Sequence, residues 1–434
     1  MDQLHEFGAM SNTAFFWIST IKMLVAFVVT LLTVAMLTLA ERRFAAFIQD
    51  RLGPNRVGPF GLLQPIADGL KNFIKEETMP GEASRFYFVL APMLALAPSF
   101  VLFAVIPWGA PLPTPWGVVD MIVADVPMGI LFILAFSSLG VYGTFLAGWS
   151  SNNKYSFLGG LRASAQMVSY EVALGMSLIP VFLIVGNVTI TEMVWYQQEG
   201  LGWWFAFPLG LAFFLFVISS FAETARLPFD MPEAESELVA GYHAEYSSMK
   251  FSMFMMGEYA HVLTQAALMA TLFLGGWDIP FVSWDNMRVV GDGVVQGAEP
   301  AVWKTLATFA AFAVKTLFFV FVFIWVRWTV PRFRYDQIMD LGWKGLLPTG
   351  LAYIMLMAAT ILVLDTVGME YGPAYSAILT AVNVVATVVF LWVLDSDRVL
   401  RGGSAMAPRP MDRREMAEVM EERASEPASS IAGV

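Results

Sequence analysis

The chain has no cysteine, three histidines and few charges: of its 434 residues, 14% are charged and 57% are hydrophobic. Without cysteine it cannot ligate an iron–sulfur cluster through thiolates, build a thiolate zinc site or form a disulfide. His5, His243 and His261 show no metal-ligand spacing and read as structural or hydrogen-bonding residues. A net charge of -11 leaves no basic face of the kind nucleic acid requires. Soluble domains carry roughly 25% charged residues, so the low charged fraction points to one membrane body rather than several soluble domains. The Gly/Pro stretch at 49–59 has no Walker-type Lys-Ser/Thr, which argues against a phosphate cradle there. Nor is there an internal or inverted repeat of the transporter type. Met1–Met10 is mildly acidic, and the first apolar run is too long for a signal-peptide core.

What is present is a series of apolar runs, each near the ~20 residues that a membrane helix needs. We read nine: 15–40, 86–108, 127–149, 165–187, 203–222, 251–275, 304–330, 348–368 and 374–394. The expected fold is all-α and polytopic, with residues 1–394 forming the membrane domain and 395–434 a flexible or loosely helical tail. Lys and Arg are retained on the cytoplasmic side. They collect in loops 41–85, 150–164, 223–250 and 327–347 and in the tail, while the alternate loops hold only Arg288. The N-terminus is therefore expected outside and the C-terminus inside, in a bacterial inner membrane.

Two of the basic-side loops carry chemistry. In loop 41–85, Glu41, Arg42 and Arg43 close the first helix, and a Gly/Pro stretch around Arg51 follows. Next, Leu62, Leu63, Ile66, Leu70, Phe73 and Ile74 recur at helical spacing, with Asp68, Lys71 and Lys75 off the stripe. This predicts an amphipathic helix in the interface, serving as a lipid anchor or framing the mouth of a cavity for a lipid-soluble substrate.

Segment 219–261 places Glu223, Asp230, Glu233, Glu235, Glu237, Glu245 and Glu258 against only Arg226 and Lys250. Like carboxylates held close cannot all stay ionised, so such a row can pass protons. A solvated acidic loop that binds a basic partner is the alternative. Pro228, Pro232 and the interleaved aromatics argue instead for packing. Glu171 lies inside the fourth run, where a carboxylate is costly and reads by default as functional. Lys315 in the seventh run is a candidate partner. An interfacial helix, a basic loop and carboxylates leading inward, with no electron carrier, suit a site where an external redox centre meets a membrane-soluble acceptor.

Four long segments carry a family resemblance: QDRLGPNRVGPFGLLQPIADGLKNFIKEE, SNNKYSFLGGLRASAQMVSYE, AETARLPFDMPEAESELVAGYHAEYS and WVRWTVPRFRYDQIMDLGWKGLLP. The chain resembles the H-type membrane subunit of proton-pumping NADH:quinone oxidoreductase (respiratory complex I), the family of the mitochondrial NADH dehydrogenase subunit 1. The resemblance implies a subunit that is inactive alone and forms much of the quinone tunnel. Its substrate would be ubiquinone or menaquinone, with no iron–sulfur cluster, flavin or metal bound by this chain. Electrons would come from the terminal cluster of a peripheral-arm partner, and small membrane subunits and lipid would surround it.

By the same resemblance, Arg42, Arg51, Asp68, Lys71 and Arg226 border or surround the quinone cavity. Glu41, Glu171, Glu223, Asp230, Glu233, Glu235, Glu237, Glu245 and Glu258 form the coupling carboxylates. Arg332, Arg334 and Asp336 support the cytoplasmic face. Two departures stand out. Ala225 occupies a position where the family carries Asn, and a ninth span and tail follow the family's usual eight. The added segment is expected to bind a neighbouring subunit or lipid. Alternative readings are the homologous subunit of a hydrogenase or ferredoxin-linked complex, an ion-coupled transporter, and a docking anchor.

Overall fold

In the computed structural model of the chain, seven helical segments are long and apolar enough to cross a bilayer. Residues 4–6, 11–232, 235–280, 282–291 and 294–395 are described. The helices are α1 (Asn12–Ile48), α2 (Gln64–Ile74), α3 (Arg85–Leu102), α4 (Gly129–Ser150), α5 (Lys154–Val185), α6 (Ile190–Trp195), α7 (Gly210–Glu223), α8 (Glu235–Leu238), α9 (Ser248–Phe273), α10 (Val302–Thr329), α11 (Tyr335–Asp340), α12 (Leu347–Thr366) and α13 (Pro373–Asp395).

Each of the nine apolar runs contains a long helix, but two fall short of the spanning criterion. α7 has 14 residues, about 21 Å of helix against a hydrocarbon core of about 30 Å. α9 is long enough, but Lys250, Glu258, His261, Thr264 and Gln265 interrupt its apolar character. α5 begins at Lys154, well ahead of the expected 165, because Asn153 caps it by accepting from the Tyr155 N–H at 2.9 Å. Hydropathy marks where lipid contact starts, whereas the cap marks where the helix starts.

Small antiparallel strands decorate the side opposite the basic loops: β1 (Leu4–Glu6), β2 (Gly109–Thr114), β3 (Gly117–Met121), β4 (Met287–Gly291) and β5 (Val294–Gly297). β2 pairs with β3, and the other three form a sheet in the order β1-β5-β4. Strands this short leave little alternation to read from sequence.

Small residues set the helix spacing. A Cβ on Gly143 of α4 would lie 2.8 Å from the Ala95 nitrogen of α3, and one on Gly148 would lie 2.5 Å from the Ser156 oxygen of α5. Association in lipid gains little from hydrophobicity, so close backbone packing of this kind supplies the contact.

Buried and half-buried polar side chains satisfy backbone groups of other elements. Lys22 on α1 donates to the carbonyls of Asp120 (3.1 Å) and Ile122 (2.8 Å). Lys315 on α10 donates to those of Leu274, Gly276 and Asp278 at 2.5, 3.1 and 2.5 Å, at the end of α9. Lys315 is thus a cap on α9, not the partner of Glu171. The short α7 is held by the added helix: Asn383 of α13 accepts from the Leu211 N–H (2.9 Å) and the Tyr353 hydroxyl (3.1 Å), and donates to the Phe207 carbonyl (3.3 Å). The first N–H groups of a helix have no partner inside it, and lipid offers none. Asn383→Ala should therefore destabilise the chain by about 1–2 kcal/mol, read as a lower Tm in detergent. An unchanged Tm would show that α13 is not what satisfies the start of α7.

Candidate functional site

Arg226, in the turn after α7, is buried at 6% exposure, as is Glu41 near the end of α1. The Arg226 guanidinium lies 2.6 Å from Glu258 of α9 and 3.6 Å from Glu41. It also sits 4.4 Å from the centre of the Tyr259 ring. Glu41 accepts from Arg327 of α10 and, at 2.6 Å, from the Tyr259 hydroxyl. Two arginines and two carboxylates thus neutralise one another where water is scarce, the condition under which buried charge is tolerable.

Glu258 belongs to a second group as well. A cavity of about 80 Å³ is lined by Glu171, Glu223, Glu258, His261, Ser137 and Thr144, among others. That is room for several waters with polar partners. Glu223 accepts from Ser137 of α4 and, at 3.0 Å, from Gln265 of α9. His261 Nε2 is 3.4 Å from Glu223. Glu171 on α5 faces the cavity and makes no hydrogen bond or ion pair among the described residues.

The stretch from Thr224 to Asp230 is packed rather than solvated. Gln166 of α5 donates to the Ala222 and Phe229 carbonyls, both at 2.7 Å. Asp230 is buried and pairs with Arg332 at 3.1 Å. Beyond Pro232 the segment keeps Tyr242 at the cavity, but its described carboxylates with partners bond elsewhere. Glu237 pairs with Arg162 at 2.7 Å and Glu245 accepts from Asn153 at 2.7 Å, both away from Glu171. Glu233 lies outside the described residues, and Glu235 opens the four-residue α8.

α2 bridges α1 and α9. Asp68 pairs with Arg42 and accepts from Gln64 at 3.0 Å, and Lys71 lies 3.6 Å away. Partial burial would raise the Asp68 pKa, but the Arg42 and Gln64 hydrogen bonds outweigh it and hold the carboxyl below its usual range. Ser248 at the start of α9 donates to the carbonyls of Asn72 and Lys75 at 2.8 and 2.9 Å, closing α2. The apolar stripe of α2 faces outward, with Ile66, Leu70, Phe73 and Ile74 exposed. Arg51 stands apart from this bridge and bonds Gln49 at 2.7 Å.

Sequence reasoning missed Arg327, Tyr259, Gln265 and Ser137, and set His261 aside as structural. Arg327 reads as an ordinary basic residue at the end of a span. The others are neutral residues whose role exists only through the carboxylate across from them. Ala225 gains a physical explanation, since its φ of 51° is left-handed, a conformation that Asn tolerates and Ala resists.

The fold and site together define a polytopic helical membrane protein with linked buried charges running inward from an interfacial helix. A family model described as NADH dehydrogenase matches residues 21–358, and the chain belongs to that family. It is 46% identical to the H-type subunit of NADH-quinone oxidoreductase from Leptospira biflexa, over 77% of this chain and 92% of that protein. It is 47% identical to NADH-quinone oxidoreductase subunit 8 of Rhodothermus marinus, over 77% and 95% respectively. With NADH-ubiquinone oxidoreductase chain 1 of Chondrus crispus the identity is 48%, over 79% and 96%.

The buried arginine and the strained alanine can each be weighed by stability. Arg226→Met leaves Glu258 and part of Glu41 uncompensated and should cost about 3–5 kcal/mol in denaturant unfolding. A loss below about 1 kcal/mol, typical of exposed pairs, would deny the network that weight. Ala225→Asn should stabilise by about 0.5–1 kcal/mol through relief of the left-handed backbone, and a drop in Tm would contradict this.

Proposed function

We propose that this chain is the membrane subunit of a proton-translocating NADH:quinone oxidoreductase, forming much of its quinone tunnel and coupling quinone reduction to proton movement. One observation carries the reading: a buried run of ionisable groups reaches the cavity. Arg327 and Arg226 meet Glu41, Arg226 meets Glu258, and Glu258 lines the cavity that holds Glu171, Glu223 and His261, while the Asp68–Arg42 pair sits one residue along α1 from Glu41.

The parts divide the work by their chemistry. α2 presents an apolar face to lipid and a charged edge to Arg42, which suits the entry of a quinone with a long apolar tail. Arg51 and Lys71 border that entrance. Reduction of a quinone takes up two protons and adds charge transiently, and a nearby buried carboxylate responds by changing its protonation. Arg226, shared by Glu41 and Glu258, passes that change to the cavity. There Glu171 and Glu223 flank a space wide enough for water, the arrangement that proton exchange needs. Glu233, Glu235, Glu237 and Glu245 act on the loop side, next to the peripheral-arm partner that carries the terminal iron–sulfur cluster. Small membrane subunits receive the proton signal, and the Lys/Arg distribution supports an outside N-terminus in a bacterial inner membrane.

The docking-anchor alternative fits less well, because Arg226, Phe229 and Asp230 are buried instead of presented to a partner. Glu171→Gln in the assembled complex should lower NADH:quinone turnover and proton movement by about tenfold or more. NADH oxidation by a water-soluble acceptor at the peripheral arm should be retained. Wild-type turnover and pumping in the assembled variant would remove Glu171 from the coupling path.

A further inference from the structure

The added helix α13 creates a second feature, separate from the carboxylate network. α12 and α13 run antiparallel and are bridged through Asn383. Towards the Lys344 end they enclose a groove of about 610 Å³. Its walls are apolar: Pro348, Ala352 and Leu356 on α12 face Val385, Val389 and Phe390 on α13, with Leu211 of α7 also in the lining. Val385 and Val389 are exposed as well as lining, so the groove opens sideways into the surrounding medium.

In a bilayer such a groove does not stay empty, because its walls would lose their dispersion contacts. Its dimensions select the occupant. Gly345 to Leu356 spans about 16 Å of helix. Spread over that length, 610 Å³ is a channel of about 40 Å² in cross-section, half the roughly 80 Å² of a helix 10 Å across. A hydrocarbon chain fits within such a section, whereas a neighbouring helix would have to lie over the open side rather than inside it. Nor does the sequence after Asp395 supply a filler, since residues 396–434 contain six arginines and no long apolar run.

Charge at the mouth narrows the choice further. Lys344 lines the groove at the end where α12 begins. Its ammonium is 2.7 Å from Asp340, and its side chain is 64% exposed. An ammonium has three donors, so the carboxylate does not exhaust it. Trp343 beside it is exposed while its indole N–H donates to Ser169 at 3.2 Å, the placement of a residue at the level of lipid headgroups.

We propose that the α12–α13 groove binds an anionic phospholipid, with one acyl chain between the helices and the phosphate against Lys344. The lipid completes the packing of α13 against α7 and α12 and thereby holds the added helix to the family-type body. Lysines at this depth recognise anionic headgroups by charge, while the apolar walls recognise only a chain.

The test is photolabelling of the full chain with its co-purifying subunits in nanodiscs, using a phosphatidylglycerol with a diazirine on one acyl chain. Adducts are expected on residues 345–356 or 382–390, and excess unlabelled phosphatidylglycerol should compete them away. Ala352→Trp and Ala386→Phe fill the groove from opposite walls, and each should lower the adduct yield several-fold. Lys344→Gln should reduce labelling by phosphatidylglycerol and leave a phosphatidylcholine analogue unaffected. Undiminished labelling in both filling variants, failure of the unlabelled lipid to compete, or displacement of the lipid by quinone would overturn the proposal. Cross-linking of the wild-type groove to a neighbouring polypeptide in place of lipid would do the same.

Discussion

A guanidinium buried between two carboxylates commits this chain to one arrangement of its helices. Arg226 follows α7, Glu41 closes α1 and Glu258 lies on α9, and none of the three is tolerable at its burial without the others. Arg327 draws α10 into the same cluster through Glu41. Four helices distant in sequence are thereby fixed in register where lipid-like surroundings forbid an unpaired charge. The charge coupling proposed for this chain would run through the same cluster that specifies the packing.

Several other polar side chains obey the same constraint with neutral partners. Lys22, Lys315, Asn383, Gln166 and Ser248 each satisfy backbone groups on another element. They substitute for water at backbone groups, at helix ends in the case of Lys315, Asn383 and Ser248. This makes short or interrupted helices viable, and α7 and α9 carry Glu223, Glu258 and His261. A regular apolar span of full length would have no reason to leave a cavity there. One helix too short and one too polar for the spanning criterion thus carry three of the candidate site residues, beside Glu41 on α1 and Glu171 on α5.

α13 changes the edge of the molecule more than its centre. It contributes Asn383 to the start of α7 and a wall to the groove with α12, and it lies beyond the residues matched by the family model. Its attachment is mostly apolar, with the Asn383 hydrogen bonds as its polar contact to α7 and α12. Such an attachment depends on how well the remaining space is filled.

The apolar runs, the amphipathic stripe of α2 and the membrane character were legible in sequence, because each is set by neighbouring residues against a uniform solvent. The candidate carboxylates were legible for the same reason: a charge in an apolar run is conspicuous wherever its partner lies. Pairing was not legible. Glu171 and Lys315 are both charges inside apolar runs, yet the fold puts one at the cavity and the other at the carbonyls ending α9. Arg327 and Arg334 read alike as basic residues at the end of a span, yet only Arg327 reaches Glu41. Glu237 and Glu245, written into the same acidic run as Asp230, bond instead to Arg162 and Asn153, although Tyr242 between them reaches the cavity. Local composition determined which residues must find partners, and only the three-dimensional crossing of α1, α5, α7, α9 and α10 decided which partners they found. Charge pairing depends on distance across helices, which periodicity along one helix does not encode.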